Sequence, residues 1–175
     1  MTPLRAARAI DSSGLIVLAK NDKAHHFLQA QFKERTVEKT YIALVDGHPP
    51  TPTGKIDAAI GRDQRQRQRM AAVPAHKGRK AVTEYKTLES FDEHTLLEVQ
   101  IHTGRTHQIR VHLAFIGCPV AGDTVYGRKK STIRVKRQFL HAAKLIIKIP
   151  PKEELKTFEA PLPEKLERVL QDLRD

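Results

Sequence analysis

The stretch Thr103-Gly-Arg-Thr-His-Gln-Ile-Arg-Val-His112 decides the fold more than any other part of the chain. Its glycine turn leads directly into apolar residues at helical spacing, and Gly117 is well placed to end the helix. The pattern predicts a packed helix over about 106–116 with Arg105 and Arg110 near its start. Two fixed cations at the mouth of a packed helix suit an anionic ligand, such as a phosphate or a carboxylate.

The segments on both sides of this helix predict an α+β domain with a mostly antiparallel mixed sheet and flanking helices. One further helix is expected to be capped by Asn21 or Asp22 and to end near Arg35, and another to open at Pro163. Residues 53–60 are expected to be the return strand of a long hairpin, and residues 14–19 a buried strand. Strands are predicted, in chain order, near 14–19, 37–45, 53–60, 81–90, 94–101, 139–149 and 155–160. No linker divides the chain, so residues 1–175 are expected to form a single domain.

The composition indicates a globular protein with a polyanionic partner. Hydrophobic residues make up 39% of the 175 residues and charged residues 29%, which is typical of a chain with a real core. Lysine and arginine number 31 against 20 acidic residues, for a net charge of +11. Such a balance favours nucleic acid as the partner, and the alternative is a basic surface that serves only solubility.

Cysteine and histidine usage argues against disulfide and metal chemistry. Cys118 is the single cysteine, so the sequence can build neither a disulfide framework nor a thiolate metal cluster. Of the nine histidines, His25 and His26 are adjacent and point apart on a helix, and no other spacing is typical of a metal site. No apolar run approaches the roughly 20 residues that span a bilayer. We therefore expect no metal and no membrane partner, and a cytoplasmic location, with an organellar matrix as the alternative.

Several motifs resemble those of the RluA-type RNA pseudouridine synthases, in the order and spacing of that family. The stretch that begins at Thr103 and ends at Gly117 is similar to the third motif of the family, and Pro119-Val-Ala-Gly-Asp-Thr-Val-Tyr-Gly127 continues the match. The other matching stretches are Lys39-Thr-Tyr-Ile-Ala-Leu-Val-Asp-Gly47, Leu140-His-Ala142 and Phe158-Glu-Ala-Pro-Leu-Pro163. The resemblance implies the catalytic domain fold of these enzymes.

The resemblance also implies an activity. Such enzymes isomerise a uridine of ribosomal or transfer RNA to pseudouridine, without a cofactor, after the base has been flipped into a pocket. A catalytic aspartate starts the reaction, an arginine pairs with it, and a tyrosine packs against the base. Tyr41 matches that tyrosine, or is only a half-buried strand residue. Arg110 matches the arginine, and a guanidinium so close to the core needs an anion. Arg105 and His107 are expected either to contact RNA or to brace the loop.

The position of the catalytic aspartate is where the chain departs from the family. The family motif is His-Arg-Leu-Asp, two variable residues and Thr-Ser-Gly, whereas this chain has Arg8-Ala-Ile-Asp-Ser-Ser-Gly14. Without gaps, the catalytic position falls on Ala9; with a two-residue deletion it falls on Asp11. Two hypotheses follow: an active synthase that uses Asp11, Tyr41 and Arg110, or a family member that has lost its nucleophile and acts as an RNA-binding or ribosome-associated protein.

Two further features bear on RNA binding and on the extent of the domain. Residues 62–69 are rich in arginine, which predicts contacts with the RNA backbone, or else a solvated loop. These arginines are Arg62, Arg65, Arg67 and Arg69, and the last three share one face if the segment is extended. Only about ten residues precede Asp11, whereas the family carries sheet strands, and often an RNA-binding module, upstream. We therefore expect an unpaired sheet edge that a partner or another chain covers.

Overall fold

The computed structural model describes residues 12–66, 69–135, 137–150 and 153–175. Within them lie a seven-stranded sheet, a separate two-stranded sheet and three α-helices, which confirms the predicted α+β class. The strands are β1 (Ser13–Gly14), β2 (Glu38–Asp46), β3 (Thr53–Asp57), β4 (Ala59–Arg62), β5 (Met70–Val73), β6 (Val82–Ser90), β7 (His94–Ile101), β8 (Leu140–Ile149) and β9 (Glu154–Glu159). The helices are α1 (Asp22–Glu34), α2 (Gln108–Phe115) and α3 (Glu164–Arg174).

The large sheet is antiparallel except at one edge, as predicted. Its strand order is β1-β8-β2-β7-β6-β3, and β9 also pairs with β8. The one parallel pairing joins β1 to β8. The strands β4 and β5 form the separate antiparallel hairpin. In the described part of the chain, β9 is an outer strand with all six of its residues exposed. That an upstream segment is missing stays a prediction.

The predicted hairpin between β2 and the 53–60 segment is wrong. The segment forms β3 and the start of β4, and β3 pairs with β6. The reason is that β2 lies in the centre of the sheet, with β7 along one edge and β8 along the other, so it has no edge left for β3.

The predicted buried strand over 14–19 is also wrong. In this part of the chain, pairing with β8 stops at β1, whose Ser13 and Gly14 lie opposite His141 and Ala142, and β9 occupies the same edge of β8 beyond that point. The chain after β1 therefore has no strand to pair with. Its side chains still alternate: Leu15, Val17 and Ala19 pack into the core beside α1. Ile16 and Leu18 are 61% and 67% exposed.

The helices lie on both faces of the sheet. On β2, Ala43 and Val45 face α2 through Ile109 and Leu113, whereas Leu44 faces α3. Alternate residues of a strand point to opposite faces, so α2 and α3 lie on opposite sides. Helix α1 covers Leu145 and Ile147 of β8. Leu145 pairs with Lys39 of β2, and Lys39 lies on the same face of the sheet as Tyr41 and Ala43. Helix α1 therefore lies on the same side of the sheet as α2.

The helix boundaries follow from local chemistry. The Asn21 side chain accepts a hydrogen bond from the Ala24 N–H and caps α1, which ends at Arg35 in the left-handed region, both as predicted. Gly117, at φ 82°, ends the turn after α2, also as predicted. Helix α2 begins two residues later than predicted because His107 adopts φ 57° and ψ 22°. Among the described residues, no helix is long and apolar enough to cross a membrane.

Candidate active site

A pocket of about 270 Å³ lies on the face of the sheet that carries α1 and α2. Residues 12–16 form one wall, and the turn before α2 with the first residues of that helix forms another. The floor comes from strand residues, among them Tyr41, Ile101 and Leu140. The described residues that the sequence singles out for catalysis, Tyr41 and Arg110, thus line one pocket, together with Arg105 and His107.

The turn between Thr103 and Gln108 is held rigidly by the Gln108 side chain. Its Oε1 accepts hydrogen bonds from the Thr103 hydroxyl and from the Arg105 N–H, at 2.7 and 3.0 Å. Its Nε2 donates to the Val82 carbonyl at 2.9 Å and to the Thr83 hydroxyl at 3.0 Å. The buried amide therefore uses both donors and its acceptor, and it ties the turn to the start of β6.

Helix α2 is fixed to β6 by a second buried group, the His112 ring. Its Nε2 lies 3.0 Å from the Ala58 carbonyl, which can only accept, so Nε2 carries the hydrogen. Nδ1, 2.9 Å from the Thr83 hydroxyl, is then the acceptor in the neutral ring. Burial lowers the pKa of His112 against the opposing effects of the Ala58 bond and of Asp57, which favours this neutral form.

Arg110 forms a buried, two-pronged ion pair with Asp123. Nε of the guanidinium lies 2.6 Å from Oδ2, and Nη2 lies 2.8 Å from Oδ1. Oδ1 also accepts the N–H groups of Val125 and Tyr126, which close a turn around the carboxylate. Burial alone raises the pKa of Asp123, but the Arg110 pair and the two backbone donors outweigh it and hold that pKa below its usual range. Arg110 is buried, as predicted, and its anion in the described residues is Asp123; that Arg110 also pairs with the catalytic aspartate stays a prediction.

Tyr126 connects this ion pair to the rest of the site. Its ring lies 5.1 Å from the Arg110 guanidinium carbon and 5.0 Å from that of Arg69, both as cation–π contacts. Its hydroxyl accepts the Met70 N–H at 2.9 Å and lies 3.0 Å from Nδ1 of His107. A single side chain therefore joins the arginine-rich hairpin to the start of α2.

Tyr41 presents its ring among apolar neighbours. It lies on β2, opposite Val99 of β7 and Ala142 of β8, and it packs against the core cluster beneath α2. Burial raises the pKa of its phenol, so the hydroxyl stays protonated near neutral pH. The ring is therefore a flat, uncharged surface at the floor of the pocket.

The arginine-rich segment is the connection of the β4–β5 hairpin. Asp63 Oδ1 accepts the N–H groups of Arg65 and Gln66, so the chain turns at Arg65 and does not extend there. Arg62 and Arg65 are exposed, whereas Arg69 lies against Tyr126. Arg67 lies outside the described residues, and the RNA contacts of this segment stay predictions.

His107 and Arg105 both brace the loop. His107 contacts the Tyr126 hydroxyl, and its ring meets the Tyr126 ring edge to face. Arg105 Nε donates to the Lys80 carbonyl at 3.1 Å, and the side chain is still partly exposed at the pocket. RNA contact by either residue stays a prediction, because bracing the loop does not prevent it.

Asp11 lies outside the described residues, so its placement relative to Arg110 stays a prediction. Its neighbour Ser12 lines the pocket. The sequence did not predict the roles of Asp123 and Tyr126, although both fall in the 119–127 stretch that resembles the family. The sequence feature that marks both residues is an aspartate between turn glycines, with a tyrosine three residues later. Among the residues that the structure describes, no group of three His, Cys, Asp or Glu side chains could hold a metal ion.

Comparisons with a family model, with individual sequences and with solved structures all show that the chain is similar to RNA pseudouridine synthases. Residues 10–115 match a family model described as RNA pseudouridylate synthase. The chain is 52% identical, over 165 residues, to an uncharacterized RNA pseudouridine synthase of Chloroflexus aurantiacus; the match covers 94% of this chain and 51% of that protein. It is 40% identical, over 164 residues, to the ribosomal large subunit pseudouridine synthase D of Zymomonas mobilis, with 90% and 51% covered.

The fold is similar to that of a solved human protein, RNA pseudouridylate synthase domain containing 4. The two superpose with a TM-score of 0.75 at 29% identity, over 91% of this chain and 70% of the other. By contrast, the chain spans about half the length of the curated relatives it matches.

Proposed function

Because this chain belongs to the RNA pseudouridylate synthase family, we propose that it isomerises a uridine of RNA to pseudouridine in the pocket beside α2. One observation carries the proposal: Tyr41 and Arg110 line a single pocket whose lining also includes Ser12, the residue joined to Asp11. We propose Asp11, rather than Ala9, as the catalytic residue for that reason. This assignment corresponds to the alignment with the two-residue deletion.

The pocket suits one flipped nucleotide. Its volume of about 270 Å³ is close to the lower end of the roughly 300–1,000 Å³ typical of ligand pockets. Uracil is flat and aromatic, and the uncharged Tyr41 ring offers a matching surface with little loss of side-chain entropy. Extrusion of the base from its stack costs roughly a few kcal/mol, and stacking of the base on the Tyr41 ring offsets this cost.

The reaction that we propose is balanced without a cofactor. The bond between N1 and C1′ of the uridine breaks, the uracil turns, and C5 bonds to C1′. The hydrogen on C5 leaves as a proton, and N1 takes up a proton. The Asp11 carboxylate starts this sequence, either by attack on the nucleotide or by abstraction of a proton from it.

Arg110 keeps the Asp11 carboxylate ionised and aimed at the nucleotide in this proposal. A guanidinium beside a carboxylate lowers the pKa of that carboxylate and orients it through directional hydrogen bonds. Asp123 holds Arg110 by Nε and Nη2, which fixes the plane of the guanidinium.

Ribosomal RNA is the substrate that we propose first. A relative named for the ribosomal large subunit is 40% identical over 90% of this chain, and the net charge of +11 suits a long polyanion. Transfer RNA fragments are the second class to test. A cytoplasmic location fits both substrates.

Release of tritium from RNA labelled at C5 of uridine tests the proposal, because only the new bond to C5 displaces that hydrogen. The purified chain is mixed with transcripts of large-subunit ribosomal RNA fragments and of transfer RNAs. We expect release with the native chain, none with Asp11→Asn, and unchanged release with Asp172→Asn, a matched change at an exposed site on α3.

Two outcomes would overturn the proposal. Folded protein that binds these RNAs without tritium release would favour a binding protein that has lost its nucleophile. Full activity of Asp11→Asn would remove the catalytic assignment of Asp11 while leaving the activity.

A further inference from the structure

Three chain segments meet at one end of the sheet, next to the pocket. Strand β2 begins there, β6 begins there, and β7 ends there, as the pairs Thr40–Gln100 and Thr83–Ile101 show. The residues just before β2, just before β6 and just after β7 are therefore neighbours in space. Each of these three segments carries an arginine: Arg35, Arg79 and Arg105.

The backbones that carry these arginines are fixed. Arg35 ends α1, with φ 62° and its N–H bonded to the Gln31 carbonyl. Arg79 exchanges two backbone hydrogen bonds with Ile60, each 2.9 Å long. Arg105 lies in the turn that Gln108 holds, and its Nε donates to the Lys80 carbonyl. The cations therefore start from rigid positions.

Arg105 is close enough to Arg35 and to Arg79 to be affected by their charges. The pKa of Arg105 is lowered mainly by partial burial and then by the charges of Arg35 and Arg79. The pKa of Lys39 is also lowered, first by burial and then by the charge of Arg35. Lys39 lies on the same face of β2 as Tyr41. Because these positive charges act on one another, an anion at this place has an electrostatic advantage.

The nearby acids do not neutralise this group in the described part of the chain. No carboxylate there lies within 4.0 Å of the charged atoms of Arg35, Arg79 or Arg105. Glu84, on β6, is paired instead with Lys55 at 3.5 Å and with His102 at 3.2 Å. Glu38 follows Arg35 but points to the face of β2 opposite Lys39.

We propose that Arg35, Arg79 and Arg105 bind the RNA phosphates that flank the nucleotide in the pocket. This inference rests on the proposed RNA substrate. Arg105 lines the pocket and contacts the phosphate nearest to the flipped nucleotide, and the exposed Arg35 and Arg79 hold phosphates farther along the strand. Arginine suits this role because its planar fork binds phosphate oxygens in pairs. None of these three arginines belongs to the arginine-rich 62–69 segment.

The test measures RNA affinity directly and does not depend on catalysis. Binding of a fluorescent large-subunit RNA fragment is followed by anisotropy from 0.05 to 0.5 M salt, for Arg35→Gln, Arg79→Gln and the double variant. We expect each single change to reduce the slope of log K against log salt by about 0.7–0.9, as for one lost phosphate contact. At 0.1 M salt that slope change corresponds to about five- to eightfold weaker binding.

Matched controls keep the outcome specific. Lys165→Gln, on the exposed side of α3, removes the same charge on the opposite face and should leave the slope unchanged. Arg79→Lys should keep the slope and lose only part of the affinity. Arg105→Gln would also remove the hydrogen bond to the Lys80 carbonyl, so it changes more than a phosphate contact. The test therefore uses the exposed Arg35 and Arg79.

The result separates this inference from the proposed activity. If Arg35→Gln and Arg79→Gln, folded, show the slope of Lys165→Gln, the phosphate site is wrong even if the chain makes pseudouridine. If their slopes fall but the native chain releases no tritium, the phosphate site stands and the proposed activity fails.

Discussion

Arg110 and Asp123, 13 residues apart, form a buried ion pair through two parallel hydrogen bonds of 2.6 and 2.8 Å. The pair joins the first turn of α2 to the loop that follows the helix, and the Arg110 and Asp123 side chains are 7% and 0% exposed. Burial of both charges costs free energy, which the two bonds and the extra donors from Val125 and Tyr126 offset. The pair therefore sets the position of Arg110 for whatever lies in the pocket.

Asp123→Asn should reduce the free energy of unfolding by about 3–5 kcal/mol, because it leaves the Arg110 charge buried without its counter-charge. Urea unfolding followed by circular dichroism measures this. Asp172→Asn, at an exposed site, should change it by less than about 0.5 kcal/mol.

A double variant tests the cause of that loss. Arg110→Met with Asp123→Leu replaces both charges by apolar groups, so it should cost much less than the sum of the two single changes. Equal losses for the double change and the summed single changes would mean that the charges do not interact.

Tyr126→Phe should loosen the arginine-rich hairpin while it keeps the ring beside Arg110. The change removes the hydroxyl that accepts the Met70 N–H and contacts His107, which should cost about 1–3 kcal/mol. Hydrogen exchange of the Met70 amide should become faster. Tyr85→Phe is the matched control, since its hydroxyl makes a longer contact of 3.3 Å with Thr51. Unchanged exchange at Met70 would contradict the assigned role.

Much of the fold could be predicted because its signals are local. The Asn21 cap, the glycine after α2 and the alternation of Leu97, Val99 and Ile101 with polar residues on β7 each act within a few residues. The pairing of β3 could not be predicted, since it depends on which strand edges remain open once the whole sheet has formed. The same reason explains the short β1, whose path along β8 is occupied by a strand more than 130 residues later.

The site was predictable in part. Tyr41 and Arg110 were identified by resemblance, and the structure brings them into one pocket. Asp123 was missed because an aspartate between glycines is typical of any tight turn, and only the approach of α2 makes it an ion-pair partner. The placement of Asp11 stays a prediction.

His112 should make the protein less stable as pH falls below about 6.5, the ordinary pKa of histidine. Burial lowers the pKa of His112 in the folded protein, so the unfolded chain binds a proton at a higher pH than the folded protein does. The contribution to stability is therefore complete above about pH 6.5 and is lost as pH falls toward the lowered value. The loss of the Asp123 contribution begins only below about pH 4, the ordinary range of an aspartate, which keeps the two effects apart.

Urea unfolding from pH 5 to 8 measures the His112 effect. His112→Gln, whose amide can still donate to the Ala58 carbonyl, should show a flatter dependence than the native protein. His76→Gln, at an exposed site, should keep the native dependence. If His112→Gln and the native protein have parallel curves over this range, another group causes the acid sensitivity.

Tyr41→Phe should retain most of the proposed activity, whereas Tyr41→Leu should lose it. The proposed contact with uracil uses the face of the ring, which phenylalanine keeps and leucine lacks. Because burial raises the pKa of the phenol above its usual range near 10, ionisation of Tyr41 should cause no loss of activity between pH 7 and about 9. Tritium release under single-turnover conditions gives the rate of the chemical steps, and RNA anisotropy gives the affinity. A Tyr41→Phe protein that is folded, binds RNA and is as inactive as Tyr41→Leu would show that the hydroxyl, and not the ring face, is what the reaction requires.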